Sequence, residues 1–207
     1  MFKTLRRAAF ALGLYLLASA GYGGVTSFLL QTGFNSLSQK TGTHTAQASQ
    51  VSGKVIYVDD GDTVILLMPD NSRLKVRLAS IDAPEVSHTN HETGRIGQPY
   101  SNNSKDFLAS LVQGRVVAAD CPEKDKYGRS VCTLSIGGTN VNAEMVRNGW
   151  AWANTANNGR YLRDRSFISL QEEARLARRG LWQGRNPVEP WEWRHVCWES
   201  GGTACPQ

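Results

Sequence analysis

VSGKVIYVDDGDTVILLMPDNSRLKVRLASI, residues 51–81, holds three β-rich runs separated by two turn signals. Val51–Val58 is strand-like and ends at Asp59-Asp60-Gly61-Asp62, where Asp-Gly marks a turn. Thr63–Met68 follows as a second strand, closed by the turn residues Pro69-Asp70-Asn71-Ser72. Leu74–Ile81 alternates Leu and Val with Lys and Arg, the pattern of a third strand with one buried face.

Downstream, Asp82–Pro99 is polar and long for a surface loop, and loops of that length are often functional. Pro99 opens a helix expected to run to Gln113, with Phe107, Leu108, Leu111 and Val112 at helical spacing and Gly114 as its stop. Arg115–Asp120 and Val131–Ile136 read as two further strands. Val141–Asn148 reads as a short helix closed by Gly149, and Tyr161–Arg178 as a longer one ending at Gly180. Three strands, a helix, two strands and two helices make an α+β chain. A five-stranded barrel with three helices packed outside it satisfies that order.

Upstream, Met1–Arg7 carries three positive charges, and Ala8–Ala20 is an apolar run ending in the small-x-small triplet Ala18-Ser19-Ala20. That is the pattern of a signal peptide over residues 1–20. The rival is a retained anchor, because the chain stays uncharged to Gln39 and Ala8–Leu30 is long enough to span a bilayer. In either case the remainder is exported, periplasmic or secreted, and membrane-bound only if the leader is kept. Residues 21–50 then form a linker, whose Gln31–Gln50 part is rich in Ser, Thr, Gln and Gly.

The 207 residues suit one ordinary domain plus a leader or tail. With 41% hydrophobic and 20% charged residues the chain is neither a disordered polyampholyte nor a multi-span membrane protein. The formal charge of +5 falls to +2 without Lys3, Arg6 and Arg7, so net charge alone makes no case for nucleic acid. Four cysteines, an even count in an exported chain, suggest disulfides, and three pairings are open. Cys121 and Cys132 flank a hairpin-like segment that would set them on facing strands, which leaves Cys197–Cys205 to close a small loop in the tail, residues 195–207. With no C-x-x-C pair, a zinc site is not expected.

Two constellations carry the chemistry. Asp59-Asp60-Gly61-Asp62 sets three carboxylates in four residues. A plain hairpin explains Asp60 and Gly61 but does not need Asp62, and clustered carboxylates repel unless a cation is near; oxygen-only ligands favour a hard one, Ca²⁺ or Mg²⁺. Arg77-x4-Asp82-Ala83-Pro84-Glu85 is either a strand end with a solvated acidic turn or an Arg, a metal carboxylate and a free carboxylate around one pocket. A phosphodiester needs those parts: cationic groups for the developing charge and a base to activate water. Lys126-Tyr127-Gly128-Arg129 would by itself be a turn in which Gly supplies an unusual backbone angle. His88-x-x-His91-Glu92 reads as a solvated loop rather than a metal site, and Glu172, Glu173, Arg175, Arg178 and Arg179 as a solvated helix face.

Asp60-Gly61-Asp62-Thr63, then Arg77-x4-Asp82-x-Pro84-Glu85, then Lys126-Tyr127-Gly128-Arg129, in that order and at those separations, resemble the staphylococcal nuclease (thermonuclease) family. Gly180-Leu181-Trp182 and Asn186-Pro187 to Arg194 are similar to the ending of its secreted bacterial members. The resemblance covers residues 51–194 and rests on three ordered motifs, any one of which would be weak.

It implies an oligonucleotide-binding barrel and calcium-dependent hydrolysis of DNA and RNA to 3′-phosphorylated products. By motif, Asp62 and Asp82 would be calcium carboxylates, Ala83 would offer its backbone carbonyl, and Asp60 would stand close behind them. Glu85 would be the general base, with Arg77 and Arg129 on the scissile phosphate. Ala83 replaces the family's usual Thr, and a carbonyl is available from either. The family's base-stacking tyrosines have no clear counterparts; Tyr127, Trp150, Trp152 and Tyr161 are the candidate aromatics, with Trp150 and Trp152 equally open to core roles. The Trp-rich C-terminus would pack on the barrel as a clasp pinned by Cys197–Cys205. The chain is expected to act as a monomer, and the rivals are a catalytically silent nucleic-acid-binding barrel and a binding module for another polymer.

Overall fold

Alternating burial along β1 (Gln50–Val58), β2 (Thr63–Leu67) and β3 (Arg73–Leu78) turns Val55, Val58, Val64, Leu66, Val76 and Leu78 into one core. The computed structural model describes residues 50–87 and 95–206. The expected leader, the linker up to residue 49, and His88, His91 and Glu92 lie outside the described residues. The three strands form antiparallel neighbours, Lys54 facing Leu67 and Thr63 facing Arg77.

β5 (Val116–Lys124) pairs antiparallel with β1, and β6 (Ser130–Ile136) with β5. β6 then runs parallel to β3, Val76 facing Ser130 and Leu78 facing Cys132, which closes a five-stranded barrel. Closure leaves β1, β2, β3 and β5 without an open edge in this sheet; the short β7 (Thr139–Asn140) adds to β6. Cys121 and Cys132 are bonded across the β5–β6 hairpin.

The third strand is shorter than its apolar pattern suggests. Ser80 has a φ of 66°, which turns the chain after Leu78 and starts the separate β4 (Ile81–Asp82). β4 pairs with β8 (Trp152–Ala153), Asp82 facing Trp152. The Ser80 hydroxyl accepts the backbone N–H of Arg163 at 2.8 Å and its carbonyl that of Asn154 at 2.8 Å, so polar partners support the unusual backbone angle.

Among the described residues three helices have seven or more residues: α1 (Ser101–Val112) and α2 (Val141–Arg147) lie against the barrel, and α4 (Ser166–Leu176) packs on α2 and β8; a single turn, α3 (Ala156–Gly159), precedes α4. Asn140 caps α2, its side chain accepting from Ala143 N–H at 3.0 Å. α4 starts five residues later than the apolar spacing implies, because the Asp164 carboxylate takes the Ser166 N–H at 2.9 Å and ends the preceding turn there. Inside, Asn142 is fully buried: its oxygen accepts Leu134 N–H, and its amide donates to the carbonyls of Ala79 and Cys132, each at 3.0 Å.

The C-terminal segment is structured as a clasp. α5 (Pro190–Trp193) continues into a wide turn over Arg194–Trp198, and Cys197 is bonded to Cys205. The indoles of Trp193 and Trp198 both donate to the Ile96 carbonyl at 2.9 Å. Among the described residues no helix is long and apolar enough to cross a membrane.

Candidate active site

The β1–β2 turn is built by its own acids. Asp60 Oδ1 accepts the Asp62 N–H at 3.0 Å, and Asp59 N–H donates to the Thr63 carbonyl at 2.8 Å. Gly61 is not one of the positive-φ residues, so the Asp-Gly pair does not serve as the hairpin dipeptide that the sequence pattern suggests. Its role is close approach: a Cβ there would stand 1.9 Å from Ser104 Oγ of α1 and 2.7 Å from Ala83 Cβ. That approach packs the turn against α1 and against the end of β4.

Asp62 and Asp82 thereby face one another across a single guanidinium. Arg77, set opposite Thr63 on β3, contacts Asp62 Oδ2 through Nη1 and donates to Asp82 Oδ1 through Nη2 at 2.8 Å. Ala83 N–H adds a bond to Asp62 Oδ2 at 2.8 Å. Both carboxylates are almost fully buried, at 7% and 2% side-chain exposure, and so depend on such partners.

The neighbouring Asp60 is driven the other way. Burial, then repulsion from Asp62, pushes its carboxyl well above the usual range. Asp62 also suffers from burial, but the Arg77 charge and the Ala83 N–H outweigh it and hold the carboxyl low.

Glu85 sits just past Pro84, its backbone fixed by a reciprocal pair with Gln98: Glu85 N–H to Gln98 Oε1 at 2.9 Å, and Gln98 N–H to the Glu85 carbonyl at 2.7 Å. Gln98 in turn donates to the Val188 carbonyl at 2.9 Å, which ties this loop to the C-terminal segment. Burial pushes the Glu85 carboxyl up to about 7 against the pull of Arg194. A carboxylate poised there suits a proton acceptor near neutrality.

Arg194 reaches the same acids from the clasp. Its Nη2 donates to Asp82 Oδ2 at 2.8 Å, its Nη1 to Asp82 Oδ1 at 3.3 Å, and Nη1 also pairs with Glu85 Oε1. In the sequence Arg194 stands only in a terminal motif, and a contact spanning 112 residues leaves no local signal.

Arg129 comes from the β5–β6 hairpin. Asp125 Oδ1 accepts the N–H groups of Tyr127 and Arg129, each at 2.9 Å, and its Oδ2 accepts Arg129 Nε at 2.7 Å. Gly128 has a φ of 79°, the unusual angle expected at that position. Because Asp125 uses Nε, both terminal nitrogens of Arg129 remain as donors, and the described residues contain no other ion pair to that side chain.

Asp60, Asp62, Arg77, Asp82, Ala83, Glu85, Tyr127, Arg129, Tyr161 and Arg194 all line one cleft of about 930 Å³. Tyr127 and Tyr161 are exposed at 72% and 45%. Two expected aromatics do not take part. Trp152 is buried, its ring edge-on to Trp182 at 5.5 Å, because β8 pairs with β4 under the helices. Trp150 packs on Phe107 of α1 at 6.1 Å and does not line the cleft. Trp152 is buried and Trp150 half-buried, and neither is part of the cleft lining. Lys75, Lys124, Lys126, Arg95, Arg160 and Arg163 add positive charge around the rim.

Among the described residues no three His, Cys, Asp or Glu side chains converge as a metal cluster. What the cleft offers is two buried carboxylates, Asp62 and Asp82, brought together on Arg77. Hard oxygen donors of that kind suit a cation that keeps water or substrate oxygens in its remaining positions.

Comparison with known proteins adds an independent line. The family described as "Staphylococcal nuclease homologue" matches residues 75–184. The chain is 38% identical over 148 residues, 71% of its length and 87% of the relative's, to an Escherichia coli O157:H7 protein called "Uncharacterized endonuclease". It is 37% identical over 141 residues to a Haemophilus influenzae protein of the same name, covering 68% and 71% of the two chains. A Shigella flexneri protein called "Micrococcal nuclease" is 36% identical over 156 residues, 70% of this chain and 80% of its own. The closed barrel, the order of the acidic and basic motifs around its cleft, and these matches agree that the chain belongs to the staphylococcal nuclease family.

Proposed function

We propose that the protein is an exported, calcium-dependent nuclease that hydrolyses DNA and RNA with little sequence preference and leaves 3′-phosphorylated ends. The observation that carries this reading is the convergence of Arg77 on both Asp62 and Asp82, with Glu85 and Arg129 in the same cleft. A barrel that only bound nucleic acid would not need two buried aspartates beside a carboxyl poised near neutrality.

Asp62, Asp82 and the Ala83 carbonyl would hold calcium, with Asp60 fixing the turn behind Asp62. Calcium, when bound, supplies positive charge to a phosphate oxygen. Glu85 accepts a proton from the attacking water as its oxygen bonds to phosphorus. Arg77 and Arg129 donate to the non-bridging oxygens, whose charge grows in the transition state. The bond from phosphorus to the 5′ oxygen breaks, that oxygen takes up a proton, and the phosphate stays on the 3′ side. Tyr127 and Tyr161, exposed at the cleft, would offer rings to bases or sugars. Two disulfides and the apolar leader in the sequence support an oxidising compartment outside the cytoplasm.

The test is to type the ends released from single-stranded DNA and from RNA. Both polymers are expected to yield 3′-phosphate and 5′-hydroxyl ends. Ends bearing 5′-phosphate, or binding without cleavage, would contradict it.

A further inference from the structure

Arg194 lies beyond the matched residues 75–184, yet it makes more contacts to the acids of the cleft than Arg129 does. Its placement is built. One residue before it, the buried Trp193 donates its indole N–H to the Ile96 carbonyl; three residues after it, the buried Cys197 is bonded to Cys205. Its fork takes both oxygens of Asp82 and one of Glu85. Surface arginines do not need two anchors and two carboxylates, so solvation of a stray charge does not explain the arrangement.

We propose that Arg194 is a positioning residue of this site, held by the disulfide-pinned clasp so as to orient Glu85 while tempering the affinity of Asp82 for a divalent cation. This rests on the calcium-nuclease reading. A guanidinium on Asp82 repels a second cation on the same carboxylate, which weakens that cation's binding. The same fork holds the Glu85 side chain in one place, and misplacing a catalytic group by an ångström costs turnover. The two effects have opposite signs when the side chain is removed, which a merely structural residue would not produce.

The experiment uses the whole chain, with calcium chloride binding followed by calorimetry without nucleic acid, and turnover of single-stranded DNA measured at saturating calcium. Arg194→Met keeps the apolar stem and is expected to bind calcium about tenfold more tightly while kcat falls about tenfold. Arg194→Lys keeps the charge but loses the fork. It is expected to hold calcium affinity within about twofold of wild type while kcat still falls. Unchanged calcium affinity in Arg194→Met, or weaker affinity together with lower kcat, would overturn the proposal. If the Met variant does not fold, the Lys variant decides, since unchanged kcat there overturns it equally. A wild-type chain that binds no calcium but still cleaves DNA would overturn the calcium reading and this proposal together. Binding that is equal in wild type and Met variant would overturn this proposal alone.

Discussion

Glu85 carries the sharpest consequence at the scale of one residue. Burial, opposed by Arg194, pushes its carboxyl from 4.5 to about 7, so between those values the folded chain keeps a proton that the unfolded chain has released. Stability must then fall as pH rises through that window, by about 3 kcal/mol in all at 1.36 kcal/mol per pH unit. Glu85→Gln has no such proton to lose. Urea unfolding in chelator at about pH 4 and about pH 8 should show the decline in wild type to be steeper by that amount. Parallel profiles would contradict the raised value. The same variant should lose about a hundredfold or more in turnover while still binding calcium, because it removes the proton acceptor and leaves Asp62 and Asp82. Arg129→Ala is expected to lower kcat more than it raises KM, since a guanidinium on the scissile phosphate acts on the growing charge. A change confined to KM would make Arg129 a substrate-positioning group. Arg77, Asp82 and Glu85 were legible because nine residues of sequence hold all three. Arg194 was not, because its partners are 109 and 112 residues away and only the folded clasp brings it there.

At the scale of elements, strand period and turn chemistry revealed the barrel strands, whereas their interruptions depended on tertiary contacts. The break after Leu78 needs Ser80 at φ 66°, an angle that no local pattern around a serine announces. It is supported by N–H groups from residues 154, 163 and 164. Trp152 illustrates the converse: its spacing from Trp150 left its face open, and only the β4–β8 pairing decides that it is buried. Gly61 tests the packing of the acidic turn. Gly61→Ala would force a methyl into Ser104 and Ala83, and should destabilise the chain by about 1–3 kcal/mol in urea. Pairing it with Ser104→Gly should recover part of that loss, and no loss in the single variant would show that the turn is not packed in this way. Asn142→Ala removes three buried bonds that join α2, β6 and the chain after β3. A cost of about 3 kcal/mol is expected from the orphaned backbone groups, and a near-neutral result would mean that water replaces them.

The described residues form a closed barrel whose cleft is assembled from five distant places: the β1–β2 turn, the end of β3 with β4, the β5–β6 hairpin, the segment between β8 and α4, and the C-terminal clasp. The Cys121–Cys132 bond ties the hairpin bearing Arg129 to the barrel, closing a separation of 11 residues. Replacing both cysteines by Ala should lower stability by about 3 kcal/mol, read from the urea midpoint. Under the proposed function, the paired aspartates Asp62 and Asp82 make this cleft a calcium-dependent phosphodiesterase site. The most direct test is digestion of single-stranded DNA by the purified, oxidised protein with Ca²⁺, with Mg²⁺ and with chelator, alongside Asp82→Asn. Cleavage is expected with Ca²⁺ alone, abolished by chelator and nearly abolished in the variant. Cleavage that persists in chelator, or that is untouched by Asp82→Asn, would contradict the proposed function.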